Sequence, residues 1–237
     1  RWMACGAAGS FLSQPDTPRL ALVRPRFTAW RLGLIAPRLP ELELPLVREP
    51  APAVRVIVWR DQCDALDEGQ AAADWLSTHI GLAARLVRLA ADDARPLGTS
   101  AAQPGDRLSF ADAYPFLLLS AGSLAELNRR LHLPVPMDRF RPNIVVGGCP
   151  PHAEDGWRTL RIGEVDFRVA KPCSRCVVTT TDQETAERGA EPLRTLAGYR
   201  LRDGEVQFGQ NLIHDSAGML ETGMVVEVLE ERHNTTA

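Results

Sequence analysis

Lysine is all but missing from this chain: 27 of its 237 residues are Lys or Arg, and Lys171 is the sole lysine. Positive charge is therefore carried by arginine, whose planar fork suits phosphate and carboxylate. Any Schiff-base lysine chemistry would have to run through that one residue. Long apolar runs are missing too. No stretch approaches the roughly 18 residues that span a membrane, so no membrane partner is expected. Five cysteines, an odd number irregularly spaced, do not form the framework of a secreted disulfide scaffold, and a reducing, cytoplasmic compartment is expected. A net charge of -3 argues against a nucleic-acid partner. An initiator Met does not open the chain, which begins Arg1-Trp2-Met3; its true start is expected upstream, and any targeting segment with it. With 45% hydrophobic and 24% charged residues, the composition is that of a soluble globular protein of one large or two modest domains.

What is present centres on Lys171-Pro-Cys-Ser-Arg-Cys176, followed by the β-branched run Val177-Val-Thr-Thr-Thr181. A thiolate is a soft metal ligand and a nucleophile, and Arg175 beside Cys176, with Lys171 near, favours the ionised form. Three generic readings of Cys-x-x-Cys stay open. A dithiol redox pair would open a helix, whereas the residues after Cys176 favour a strand. A zinc site needs further ligands, and Cys149-Pro-Pro-His152 supplies a Cys-x-x-His upstream, though its prolines stiffen the turn. The third reading is two ordinary buried cysteines.

Residues 2–5, 10–14, 19–23, 29–35, 41–46 and 54–59 read as short β segments, punctuated by prolines at 15, 18, 25, 37, 40, 45, 50 and 52. A helix follows, with Asp67 as its N-cap, Gln70 closing a capping box, Ala72, Leu76 and Ile80 on its apolar face and Gly81 ending it. His79 near its C-terminus reads as a surface residue favoured by the helix dipole. Residues 84–89 return as a strand. The polar stretch 91–107 reads as a linker or mobile loop, so domains of 1–95 and 96–237 are expected. Beyond it come a strand at 115–119, a helix capped by Ser123 and Glu126 with Leu124, Leu127 and Leu131 inward, and a strand at 144–146. The hairpin 160–169 then turns at Gly163-Glu164, a helix covers about 191–199, and strands lie at 206–212 and 224–229. Arg139, Arg141 and Asn143, at the entrance to the 144–146 strand, have the donors to grip an anion, as surface arginines also would.

These residues together resemble the MOSC family, named for the carboxy-terminal domain of molybdenum cofactor sulfurases, in the branch of the mitochondrial amidoxime-reducing components and bacterial reductases of N-hydroxylated compounds. The resemblance is carried by Phe11-Leu-Ser-Gln14 with Pro18-Arg-Leu20, Asp67-Glu-Gly69, and Phe110-Ala-Asp112 with Pro115-Phe-Leu-Leu-Leu-Ser120. Arg139-Phe-Arg-Pro-Asn-Ile-Val145, Cys173-Ser-Arg-Cys-Val-Val-Thr-Thr180, Glu191-Pro-Leu-Arg-Thr-Leu196 and Phe208-Gly-Gln-Asn211 continue it. It implies a β-rich α+β fold: a small β-rich N-terminal MOSC-associated domain, then a MOSC β-barrel-like domain with peripheral helices. It implies a molybdenum cofactor (molybdenum bound to molybdopterin) with Cys176 as the metal's thiolate ligand and as the catalytic residue. Asp112, Arg141, Asn143, Ser174 and Arg175 would hold the pterin and its phosphate, and Cys173 would be structural. The activity implied is removal of oxygen from a small N-hydroxylated substrate.

Relatives carry an upstream first strand with a Pro-Val-Lys-Ser type stretch and an Asp-Arg pair that contact the cofactor, and these are absent here. Ala113 stands for a family Thr or Ser, Ala186 for a Gly, and Gly223-Met224 for a Gly-Asp. The chain ends at Ala237 without the ferredoxin-like extension of some bacterial relatives, so a separate electron-transfer protein, a flavin or iron-sulfur reductase, is the implied partner. A second reading is a cofactor-binding or sulfur-carrier module, since MOSC domains also occur joined to pyridoxal-phosphate-dependent sulfurase domains. Lys171 as the one lysine argues against an independent pyridoxal-phosphate enzyme.

Overall fold

Strands are the commonest regular element of this chain, several with apolar side chains alternating at period two, and the computed structural model describes residues 1–47, 51–89 and 94–232. Pro50 and residues 91–93 of the polar stretch lie outside the described residues. Contacts divide the chain into two compact units, the first Arg1–Pro96, Arg107–Asp112 and Thr181–Arg188, the second Leu97–Asp106, Ala113–Thr180 and Gly189–Ala237.

In the first unit the strands are β1 (Trp2–Gly6), β2 (Arg24–Phe27), β3 (Arg31–Ile35), β4 (Leu42–Pro45), β5 (Ala53–Val58), β6 (Asp61–Asp67), β7 (Ala84–Arg88), β8 (Arg95–Pro96) and β9 (Arg107–Leu108), with one helix, α1 (Gln70–Ile80). They form an antiparallel sheet of order β1-β7-β6-β5, a β2-β3-β4 sheet and a β8-β9 pair. The four-stranded sheet is covered on both faces. Met3, Cys5, Val56, Val58 and Val87 pack on one side, while Leu86 joins Ala72, Trp75, Leu76 and Ile80 of α1 and Leu32, Leu34 and Leu44 of β3 and β4 on the other. Each such side chain contributes about 1.5–3 kcal/mol by leaving water. Gly81, in the left-handed region at φ 82, ends α1 as its sequence predicts.

The second unit holds β10 (Phe116–Ser120), β11 (Ile144–Val146), β12 (Trp157–Ile162), β13 (Val165–Ser174), β14 (Leu201–Arg202), β15 (Glu205–His214) and β16 (Val226–Glu231), with α2 (Ala121–Arg130) and α3 (Leu193–Arg200). Their sheet runs β11-β10-β15-β13-β12-β16, with β14 paired to β15. β10 and β11 are parallel and the remaining pairs antiparallel. Leu118 and Leu119, adjacent on β10, enter different cores: Leu118 meets Leu160, Phe167 and Leu212, and Leu119 meets Leu127 of α2, Leu196 of α3, Phe140 and Phe208. The fold is thus α+β and rich in sheet. No helix among the described residues is long and apolar enough to cross a membrane.

Several local expectations are overturned. Residues 19–23 are a 3-10 turn, Pro18–Leu22, with the proline at its start, where its missing N–H costs nothing. Residues 10–14 make only single bridges, Cys5 to Phe11 and Ser10 to Ile57. Asp67 ends β6 and does not cap α1: Gly69 takes the cap position at φ 92, and Asp67 Oδ1 accepts its N–H at 2.7 Å. The cap of α2 is Ser120, whose hydroxyl accepts the Ser123 N–H at 3.0 Å, while Glu126 pairs with Arg129 and Arg130. His79 is buried, with Nε2 2.9 Å from the Arg19 carbonyl. The run after Cys176 is a 3-10 turn, Val177–Thr180. Threonine hydroxyls decide this locally, since Thr179 donates to the Cys176 carbonyl and Thr180 to that of Val177.

Candidate functional site

The Cys-x-x-Cys motif sits where β13 leaves its sheet. Along β13 the pairing with β15 runs Lys171 to Asn211, Pro172 to Gln210 and Ser174 to Gln207, with a register shift between Pro172 and Ser174. The Arg175 N–H continues the contact by donating to the Val206 carbonyl at 2.7 Å. The chain then turns at Cys176, whose carbonyl accepts both the N–H (3.2 Å) and the hydroxyl (3.0 Å) of Thr179. This turn leaves the Cys176 side chain exposed, whereas Cys173 is half-buried.

Arg175 ties the motif to the segment ahead of β11. Its Nη1 donates to Cys173 Sγ at 3.2 Å and its Nη2 to the Phe140 carbonyl at 3.1 Å, with the guanidinium 5.2 Å from the centre of the Phe140 ring. Phe140 closes the 3-10 turn Met137–Phe140, and Arg141 follows it in the left-handed region at φ 54, its N–H on the Asp138 carbonyl. Burial lowers the pKa of both guanidinium groups. At Arg141 the neighbouring Cys176 opposes that shift and Arg175 adds to it; at Arg175 the contact with Cys173 opposes it. Arg141 is nonetheless exposed. Neither arginine has a carboxylate partner among the described residues, and Arg175 Nε is buried without a hydrogen bond.

The other expected residues divide. Asn143 uses Oδ1 to accept the Leu117 N–H at 2.8 Å and its own N–H to reach the Leu117 carbonyl at 2.9 Å, so it fixes the start of β10 and leaves its amide N–H groups outward. The Ser174 hydroxyl donates to Glu205, a carboxylate on β15 that no sequence signal marked. Phe140 was visible only as the middle of Arg139-Phe-Arg141. Asp112 belongs to the first unit. There burial raises its carboxyl pKa against the opposing effects of Arg95 and the Trp59 indole, while Arg95 is committed to Asp61 and to the Ser109 and Ala111 carbonyls. Cys149 and His152 serve packing and a turn. Cys149 lines the Leu118 core, and the His152 N–H donates to Ser123 Oγ at 2.8 Å. Among the described residues no three His, Cys, Asp or Glu side chains converge as a metal site.

The second unit therefore offers an open thiol beside two arginines whose charge no carboxylate among the described residues offsets. Chemically this is a single soft ligand next to an anion cradle.

Comparison with known proteins gives a family. The model of the MOSC domain matches residues 105–227 and that of the MOSC N-terminal beta barrel domain residues 1–83. Mitochondrial amidoxime-reducing component 1 of Homo sapiens is 33% identical over 96% of this chain and 72% of its own length. The protein of that name from Mus musculus is 33% identical over 96% and 71%. Molybdenum cofactor sulfurase of Oryza sativa subsp. japonica is 31% identical over 88% of this chain but 28% of its own length.

Proposed function

Because the chain belongs to the MOSC-domain family, we propose that it is a molybdenum-cofactor-dependent oxidoreductase that removes oxygen from N-hydroxylated substrates, with Cys176 as the thiolate ligand of the metal. The observation that carries this reading is the exposed Cys176 thiol beside Arg141 and Arg175, neither offset by a carboxylate among the described residues. The residues present fit the group. A metal already held by a dithiolene needs one further soft ligand, and the buried, unpartnered Arg175 Nε is a donor that an anionic cofactor would satisfy.

In this reading Arg141 supplies charge to the phosphate. Asn143, its oxygen already used, offers amide N–H groups, and the Ser174 hydroxyl is oriented by Glu205. As a metal ligand Cys176 would bind through its sulfur as a thiolate. When bound, the cofactor would supply two-electron redox chemistry suited to removing oxygen from the substrate, with the electrons coming from outside. A separate flavin or iron-sulfur reductase would provide those electrons, and a reducing compartment such as the cytoplasm suits a free thiolate.

The test is turnover of an amidoxime by protein made in a host that synthesises the cofactor, with a reconstituted reductase; release of the amidine is expected. The match to molybdenum cofactor sulfurases over 88% of this chain keeps a second reading, a cofactor-binding or sulfur-carrier module. Transfer of cofactor or persulfide without turnover would favour it.

A further inference from the structure

Cys173 is the cysteine of the motif to which the reading above gives no chemistry, yet it accepts a hydrogen bond from a buried guanidinium. We infer that Cys173 is a positioning residue: its sulfur fixes Arg175, and Arg175 in turn holds the turn that presents Arg141. The effect on the cofactor rests on the proposed function; the clamp itself does not.

The geometry runs through one side chain. Arg175 reaches Cys173 Sγ with Nη1 and the Phe140 carbonyl with Nη2, at 3.2 and 3.1 Å. Its two ends are fixed as well, the backbone by the Val206 carbonyl and the guanidinium by the Phe140 ring below it. Phe140 is 2% exposed and packs on Phe208 with ring centres 4.8 Å apart, so the carbonyl Arg175 holds belongs to an anchored residue. That carbonyl directly precedes Arg141, whose φ of 54 is unfavourable for a side chain with a Cβ. Such a conformation persists only where the surroundings over-determine it. The clamp on Phe140 is part of that determination.

A buried guanidinium must find acceptors for its donors, and Nε already lacks one. Without Cys173 Sγ a second donor would be stranded, at the cost of a buried polar group left unmade. Sulfur is a weak acceptor, but the charge on Arg175 strengthens the bond. Lysine could not replace Arg175, because an ammonium lacks the planar fork that reaches both acceptors.

Two substitutions separate this role from packing. Val is apolar, fills the site and cannot accept, whereas Ser is polar and can. If Cys173 merely fills space, Cys173→Val retains molybdopterin at least as well as Cys173→Ser. If it fixes Arg175, the order reverses, with Cys173→Ser keeping most of the cofactor and Cys173→Val losing roughly tenfold or more, the loss expected for one hydrogen bond to a charged group. Cofactor per chain, measured on purified protein, gives the answer. A Val variant loaded equally to or better than the Ser variant overturns the inference.

A second arm needs no cofactor. Urea midpoints of cofactor-free wild type, Cys173→Val, Arg175→Lys and the double variant form a cycle, and coupled residues give a double variant little worse than its worse single parent. Additive losses overturn the clamp. If wild type proves to hold no molybdopterin, the proposed function fails by itself, and this cycle decides the clamp.

Discussion

Replacing Cys176 by Ser trades a soft anionic sulfur for a hydroxyl that does not ionise near neutral pH. Amidoxime reduction is expected to vanish in Cys176→Ser, with molybdenum falling further than pterin, since Arg141 and Asn143 would still grip the organic part. Cys173→Ser should keep most of its activity. Measuring activity and molybdenum in the two variants side by side checks this. A dithiol mechanism requires both to be dead, and equal loss in both would remove Cys176 from its role. Arg141→Ala should lower cofactor content several-fold while moving the urea midpoint little, because an exposed arginine adds about 0–1 kcal/mol to stability and a charge-assisted contact to phosphate is worth more. Equal cofactor in variant and wild type would place Arg141 outside the site.

Among the elements, β15 shows what a glycine can be needed for. Gly209 lies at φ 82, and a Cβ there would come 2.7 Å from the Leu118 carbonyl of β10, opposite the stretch where β13 shifts register before the Cys motif. Gly209→Ala meets both a forbidden contact and a left-handed backbone, and a loss of about 2–4 kcal/mol is expected, read as a lower urea midpoint. An unchanged midpoint would show that β10 and β15 can part at no cost. This pairing also marks how far the sequence could be read. Hairpin 160–169, the helix ended by Gly81 and the strands read at 115–119 and 206–212, found at 116–120 and 205–214, were legible to within a few residues, because apolar period and turn residues act locally. The turn after Cys176 was not. Its β-branched residues favour a strand by propensity, and the hydroxyl bonds of Thr179 and Thr180, with the Thr179 N–H on the Cys176 carbonyl, oppose that. His79 was misread for the converse reason, since its burial depends on Arg19, sixty residues earlier. At the site, residue types were legible, but the partition of labour among them was not: nothing in the sequence assigns the Asn143 oxygen to Leu117 or Ser174 to Glu205.

For the molecule as a whole, acid should act in two stages, and His152 sets the first. Burial, then the charge of Arg200, holds its pKa below the ordinary value near 6.5, with Asp155 and Glu154 opposing. The folded state therefore resists a proton that the unfolded chain takes up from about pH 6.5 downward. Stability is full above that pH and declines as pH falls toward the lowered folded pKa, below which the whole penalty applies. The second stage belongs to Asp106 and Glu191, whose carboxyl groups titrate lower in the fold, held by the hydrogen bonds they accept from Gln103 and Arg168 and from Thr195 and Arg194. Their contribution is present above about pH 4.5 and is lost below it. Asp112 runs the other way, since its raised pKa favours the folded state as it protonates. His152→Gln should thus flatten the urea midpoint between pH 7.5 and 5.5 and leave the steeper fall below pH 4.5 in place. Metal content should not follow: the cofactor reading gives His152 no ligand role, so His152→Gln should hold as much molybdenum as wild type. Stoichiometric zinc in wild type, lost in that variant, would instead make His152 a ligand and overturn the assignment of the metal to Cys176 alone.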